Sequence, residues 1–343
     1  MSNKNENRKR PRRSETRSLD GTKQTAREGG GDSLSATEFL QLKNLDVNKR
    51  IKVGARYVDV THLDKVYWPD QDYTKGDLIR YYIQVSRYIL KYLKDRPAIL
   101  VRYPGGIAEE GFYQQNVEDP PDFVKTRRLR NQAGRILNYV IYGDLASLMY
   151  LVNMGTIAQN PWHSRTSDLD KPDYIVIDLD PHGAPFSHVL KVALAVQYVL
   201  RDIGVSGYPK TSGSSGMHIY IPLGRGYDYD EAAQFAETVS NRVAALVPEV
   251  ATVERKIAER KKGQVYVDWQ QNARGKTAAS VYSVRAKPGA TVSTPVTWAE
   301  ISKGIHISDF TIKTVPSRLE KKGDLWEGML KDRQRLPRLP REQ

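Results

Sequence analysis

From Thr74 onward the apolar positions follow a helical rhythm: Leu78, Tyr81, Tyr82, Val85, Tyr88, Ile89 and Tyr92 recur three or four apart until Pro97 ends the run. Thr74-x-x-Asp77 in front of it has the form of a capping box, so a helix is predicted to start there with its tyrosine stripe in the core. Two more helical patterns cover 187–203 and 230–247. Runs rich in β-branched and aromatic residues predict strands near 98–102, 138–142, 173–180, 217–222, 265–269 and 280–285. This mixture predicts an α+β fold. No internal repeat is evident, and no strand-helix alternation carries a Gly-x-Gly-x-x-Gly turn, which argues against a dinucleotide enzyme. Residues 1–33 are rich in Arg, Lys, Ser, Gly and Asn and nearly free of aliphatic side chains, so a disordered basic tail is expected there. A folded domain is expected over 34–335, and a short C-terminal tail over 336–343.

Acidic residues interrupt this pattern at two strands. Asp178 and Asp180 close the run Ile175-Val176-Ile177, and Asp268 ends Val265-Tyr-Val. Side chains alternate along a strand, so Asp178 and Asp180 share one face while Ile177 and Leu179 point the other way, into the core. A carboxylate at the rim of an apolar strand must be hydrated, paired or metal-bound, and such a pair can hold a divalent cation. An Asp-x-Asp-Pro turn with solvated carboxylates is the plainer alternative.

Composition narrows the chemistry. The chain of 343 residues has no cysteine, which excludes disulfides, thiolate zinc sites and a cysteine nucleophile and leaves any metal on oxygen ligands. No stretch approaches the roughly 20 apolar residues of a spanning helix, and no apolar signal region opens the chain, so a soluble, cytoplasmic protein without membrane contact is expected. The net charge of +13 favours an anionic partner such as nucleic acid. Residues 1–32 hold nine Lys/Arg against five Asp/Glu, so +9 remains on the rest of the chain. The run Arg8-Lys9-Arg10-Pro11-Arg12-Arg13 can hold phosphates or serve only as a solubilising arm.

Between the two acid strands lies Lys210-Thr-Ser212-Gly213-Ser214-Ser215-Gly216-Met-His218. Glycines let a backbone approach a ligand, and small hydroxyl residues with free N–H groups cradle phosphate oxygens. His218, second in the strand that follows, would project towards the same ligand as a donor. Arg260, Lys261 and Lys262 before Asp268, with Arg274, Lys276 and Arg285 after it, would balance charge on a polyanionic substrate. Arg285, ending the predicted strand 280–285, is the best placed of these.

Together, Asp178-Leu-Asp180, Ser212-Gly-x-x-Gly-x-His218 and Asp268-Trp-x-x-Asn272 resemble the polymerase domain of bacterial ligase D, a branch of the archaeo-eukaryotic primase superfamily. The likeness extends from Asp64-Lys65-Val-Tyr-Trp-Pro through Gly111-Phe112-Tyr113-Gln114, Asn160-Pro-Trp162-x-Ser-Arg165 and Tyr282-Ser-Val-Arg285 to Asp309-Phe-Thr-Ile and Asp324-Leu-Trp326, some 270 residues.

The resemblance implies a primase-polymerase fold with mixed and antiparallel sheets flanked by helices. It also implies a template-dependent nucleotidyltransferase that adds NTPs or dNTPs to a primer 3′-hydroxyl at gaps or broken ends, in non-homologous end joining or short-gap repair. Two divalent ions, Mn2+ or Mg2+, would sit on Asp178, Asp180 and Asp268. Ser212, Ser214, His218, Lys261 and Arg285 would take the incoming nucleotide. Lys65 and Lys75 would hold the 5′-phosphate across a gap, Phe112 and Tyr113 would stack on template bases, and Arg102 with the basic loop 125–130 would handle a primer or pair two ends. Ku and a DNA ligase are the implied partners, and the nucleoid the implied place of work.

Some positions depart from the family. Ala158 and Asn160 stand where many members have Glu and His, Ser215 where some have lysine, and Lys261 where many have arginine, each losing charge or donors near the nucleotide. A lysine lacks the forked contact of a guanidinium, which shifts weight onto Arg285. A primase starting strands without a primer, a metal-dependent phosphodiesterase and a non-catalytic end-bridging protein are the competing functions.

Overall fold

A computed structural model describes residues 33–339, apart from 46, 47 and 132. The expected basic tail, save Ser33, lies outside the described residues, as does the end of the expected C-terminal tail from residue 340. The fold is α+β, and its centre is a five-stranded sheet. Its strands run in the order Tyr208–Thr211, Met217–Pro222, Tyr174–Asp180, Val265–Asp268, Ala251–Thr252. The first four pair antiparallel and the last two parallel. Alternation puts Ile175, Ile177 and Leu179 with Met217, Ile219, Ile221, Val265 and Val267 on one face, all fully buried. The helices Phe186–Asp202 and Tyr229–Leu246 pack against the strands, leaving the acid-bearing face for chemistry.

The predicted helix forms as Lys75–Leu93, opened by the reciprocal Thr74–Asp77 capping box. Its stripe is core: Tyr81 and Tyr82 are buried, and their hydroxyls donate to Tyr282 O and Ile157 O at 2.9 and 2.6 Å. The helix Leu145–Asn153 packs beside it. A smaller sheet pairs Ala98–Arg102 with Phe112–Gln114 on one side and Asn160–Pro161 on the other. The foot of the acid strand is pinned by Asp173, which pairs with the buried Arg96 and with Arg165. Among the described residues no helix is long and apolar enough to cross a membrane.

Two local expectations need correction. Residues 280–285 do not form a strand. Ser283 N turns back to Ser280 O at 3.1 Å, Tyr282 has φ of +63°, and its hydroxyl is drawn 2.7 Å from Asp324. These tertiary anchors override the β preference of Val-Tyr-Ser-Val. The basic stretch 125–130, expected as a loop, is instead largely the strand Thr126–Arg130, paired in a hairpin with Ile136–Val140. Leu129 supplies its buried side, against Tyr139 and Trp162, while Arg127, Arg128 and Arg130 face solvent.

Candidate active site

Strand register assembles the site. Lys210 lies opposite His218, His218 opposite Asp178, and Asp178 opposite Asp268, so four chemically active side chains form one row across four strands. Directly opposed antiparallel residues have Cα atoms about 4.5–5.5 Å apart and present side chains to the same face. Asp180, two residues along from Asp178, shares that face opposite Tyr266. The three acids therefore share one surface, Asp178 and Asp180 by their two-residue spacing and Asp268 by register. Burial first, then the negative charges of Asp268 and Asp180, push the Asp178 carboxyl up to about 7, while Lys210 and Arg285 pull the other way.

The hydrogen bonds show how the acids are held. Asp268 accepts from Gln270 N at 2.8 Å and Gln271 Nε2 at 3.0 Å, and the Tyr266 hydroxyl lies 3.4 Å away. Asp180 turns outward, with His182 Nε2 at 3.9 Å. Among the described residues no three acidic or imidazole groups close on one point as a ready-made metal cage. The donor set still suits a hard divalent cation: three carboxylates on adjoining positions of one face, without a thiolate, crowded enough that each raises the cost of ionising Asp178. Asn272 explains the second half of the Asp268 motif. Its amide accepts from Val176 N and donates to Val176 O, both at 2.8 Å, so a side chain completes the ladder where the Asp268 strand has ended.

The Ser/Gly loop folds as a tight connection between the Lys210 and His218 strands. Ser212 Oγ accepts from Ser214 N at 3.1 Å and Gly216 N at 3.0 Å, which leaves its own hydroxyl hydrogen free to donate outward. Gly216 has no alternative here, because a Cβ would stand 1.9 Å from Leu179 O on the acid strand. Arg285 reaches over the loop and donates from Nη1 to Ser212 O at 2.7 Å. Asp178, His218 and Arg285 then line one cleft of about 360 Å³ with Tyr103, Tyr113 and Gln271. Ala158 and Asn160 form part of its wall, so no carboxylate or imidazole stands at those two places. A larger cavity of about 540 Å³, lined by Arg165, Lys171, Arg225 and Arg333 among others, lies towards the foot of the acid strand and includes none of the three acids.

The other expected residues fall around this cleft with different standing. Tyr113 is exposed at its rim and Phe112 is half-exposed beside it. Arg102 is occupied: it donates to Met154 O at 2.9 Å and Gln114 Oε1 at 3.1 Å, and its guanidinium lies 5.3 Å from the Phe112 ring centre, so it braces the aromatic pair. Lys65 and Lys75 come together at the start of the long helix, where Lys75 N donates to Lys65 O at 2.8 Å. Burial first, and then the positive charge of Lys65, lower Lys75 to about 8. Ser215 and Lys261 are exposed on turns. Arg260, not Lys261, lies against the acid sheet, stacked 3.9 Å from the ring centre of Tyr266.

Lys210 carried no role in the sequence reading, yet it is fully buried in the row. A hairpin centred on Ser214 would have placed it opposite His218 by counting alone.

Comparison with known proteins agrees with this geometry. Residues 74–326 match the model of the LigD primase-polymerase domain. The bifunctional non-homologous end joining protein LigD of Bacillus subtilis is 34% identical over 267 residues, covering 77% of this chain and 42% of that protein. The multifunctional LigD of Pseudomonas aeruginosa is 30% identical over 291 residues, covering 83% and 34%. The chain thus spans roughly a third to two fifths of the length of these relatives. The solved polymerase domain of Mycobacterium tuberculosis ligase D in complex with DNA superposes with a TM-score of 0.73 at 29% identity, covering 80% of this chain and 98% of that one. From the fold, the acid row and these matches, the chain belongs to the LigD primase-polymerase domain family.

Proposed function

We propose that this protein is a template-dependent nucleotidyltransferase that extends a primer 3′-hydroxyl with NTPs or dNTPs at gaps or broken DNA ends, in non-homologous end joining or short-gap repair. The observation that carries the reading is the register that sets Asp268 and His218 on either side of Asp178, with Asp178, His218 and Arg285 lining one cleft. Asp178, Asp180 and Asp268 would hold two divalent ions, Mn2+ or Mg2+. When bound, these ions would supply charge neutralisation at the attacking and leaving oxygens of an in-line displacement.

The remaining roles belong to the side chains. Arg285 offers a half-buried guanidinium to the triphosphate, and the Ser212 hydroxyl, the Ser214 backbone and the His218 imidazole stand beside it. Asp178, at the centre of the row, faces the place where the 3′-hydroxyl meets the α-phosphorus. Phe112 and Tyr113 stack on unpaired template bases, with Arg102 stiffening the platform. Lys65 and Lys75, at a helix N-terminus, take the 5′-phosphate on the far side of a gap. Lys261, exposed before the Asp268 strand, would reach the triphosphate only from its edge. Ku and a DNA ligase remain the partners that family membership makes most reasonable, since an extended end must be held and then sealed.

The test is a one-nucleotide or two-nucleotide gap offered with a labelled primer, with ribo- or deoxynucleotides and with Mn2+ or Mg2+. Growth of the primer with release of pyrophosphate is the expected result. Shortening of the strand would identify a phosphodiesterase, products without a primer a primase, and bound but unchanged DNA an end-bridging protein.

A further inference from the structure

The cavity of about 540 Å³ at the foot of the acid strand holds none of the groups assigned to nucleotide transfer, and arginines line it from three separate segments. Its acids are already paired. Asp173 is shared by the buried Arg96 and by Arg165, whose remaining N–H groups donate to Lys94 O and Lys91 O. Asp168 faces Lys171 at 3.8 Å. Arg225 and Arg333 remain: both are exposed in the cavity wall, and among the described residues neither guanidinium has a hydrogen-bond or ion-pair partner. Arg225 lies in the turn between the strand Met217–Pro222 and the helix Tyr229–Leu246, Arg333 on the C-terminal segment, and hydrogen bonds fix the two segments to each other. Gly224 N donates to Gln334 O at 2.8 Å, Leu336 N donates to the Tyr227 hydroxyl at 2.8 Å, and the Gln334 amide clips to Ser206 N and O at 2.6 and 2.9 Å. Accepting from Leu336 leaves the hydroxyl hydrogen of Tyr227 free to donate. The backbone N–H groups of Arg225 and Gly226 likewise have no acceptor among the described residues.

We propose that this cavity is a second phosphate site, remote from the catalytic cleft, in which Arg225 and Arg333 hold backbone phosphates of a nucleic-acid strand. Two forked guanidiniums, a phenol hydroxyl and two free backbone N–H groups are all donors, which suits the several oxygens of a phosphate. A protein partner fits less well. Interfaces between proteins are anchored by large apolar or aromatic side chains, and none of the exposed ones among the described residues lines this cavity, where Leu223 is itself buried. Phosphate contacts need no such anchor and carry no sequence information. Asp173 in the cavity wall and Asp178 in the catalytic cleft lie five residues apart in extended chain, about 17 Å. That is the rise of about five nucleotides of duplex, so one DNA is long enough to reach both places and a single nucleotide is not. The choice of nucleic acid rests on the polymerase reading. The collection of unpaired donors does not.

Fluorescence anisotropy of a labelled gapped duplex with the full chain, from about 50 to 200 mM salt, tests this in Arg225→Ala/Arg333→Ala and in a control of equal charge, Lys303→Ala/Lys321→Ala, whose lysines are exposed outside the cavity. The arginine variant should bind about tenfold more weakly at the low end of the salt range. It should also lower the slope of log affinity against log salt by about two, one for each lost phosphate contact, whatever the DNA sequence. The control should change affinity by less than about twofold, and Arg225→Lys/Arg333→Lys should restore most of the slope, since a phosphate contact needs the charge. Equal losses in the arginine variant and the control would reduce the effect to net charge and reject the site. Unchanged affinity and slope in the arginine variant would reject it too, which is also the outcome for a cavity that serves an acidic protein. Inorganic tripolyphosphate, titrated calorimetrically without metal, separates a free anion from a strand: binding that the arginine variant loses while its DNA affinity stays unchanged would overturn the nucleic-acid assignment. A loss specific to the arginine variant, with no primer extension by the wild-type protein, would instead count against the polymerase reading alone.

Discussion

Lys75 shows most clearly how one residue's surroundings set its use. It is 5% exposed, donates to Thr61 O at 2.7 Å, and is brought down to about 8 by burial and by Lys65. Its folded value lies below the ordinary lysine value of about 10.4, so the cost of burying the ammonium is fully present below pH 8 and is relieved as the pH rises from there. A bound phosphate dianion would stabilise the charged form. The preference for a 5′-phosphate over a 5′-hydroxyl at a gap should therefore decline as pH rises through 8, measured by fluorescence anisotropy, and should vanish at every pH in a Lys65→Ala/Lys75→Ala variant. Equal phosphate dependence in the two proteins would reject the assignment. At this scale the acids were legible in the sequence because a carboxylate at an apolar strand's rim has few plain explanations. Lys210 was not, since a buried lysine looks like any other until its strand partner is known.

Among the elements, the Ser/Gly loop is the one whose backbone the site cannot spare. Gly216 lies so close to Leu179 O that any Cβ must push the loop away from the acid strand. Gly216→Ala should destabilise the protein by about 1–3 kcal/mol in urea unfolding, as overpacking in a tight site does, and should weaken nucleotide binding by at least tenfold. Unchanged stability and affinity would show that the loop does not need this approach. Helices were the easiest elements to read, since a capping box and a stripe of 3.6-residue period are local signals, and Lys75–Leu93 starts where Thr74 announces it. The misread segments were set from a distance. Residues 280–285 answer to Asp324, Ser293 and Gln159 rather than to their own β preference, and the arginine-rich strand Thr126–Arg130 exists because Leu129 finds Tyr139 and Trp162 to bury against.

For the molecule as a whole, the site sits on a core that is sensitive to acid. His163 is fully buried with no partner for either ring nitrogen among the described residues, and burial, then the charge of Arg96, take it down to about 3. The unfolded chain takes up that proton near pH 6.5, so this stability is complete above 6.5 and is lost as pH falls towards 3, by about 1.4 kcal/mol per pH unit in that window. His163→Leu should flatten that part of the pH dependence of urea unfolding while leaving stability at pH 7.5 about the same or higher. An unchanged slope would place the acid sensitivity elsewhere, with His218 the next group of the same sign. Part of the whole was visible early, because excess positive charge outside the first 32 residues favours an anionic partner and acids ending two apolar strands are candidates for a cation site. The way the strands pair, which turns separate motifs into a row, is a property of long-range register and had to be seen.

The central claim is that this row transfers nucleotides. Primer length on a short-gapped duplex with Mn2+ and all four NTPs, compared between the wild-type protein and Asp178→Asn with DNA affinity measured in parallel, tests it most directly. Extension by the wild type and its loss by a factor of at least about 100 in the variant at unchanged DNA affinity is the predicted result, in line with removing a group that acts only in the transition state. Equal extension by both proteins would contradict it.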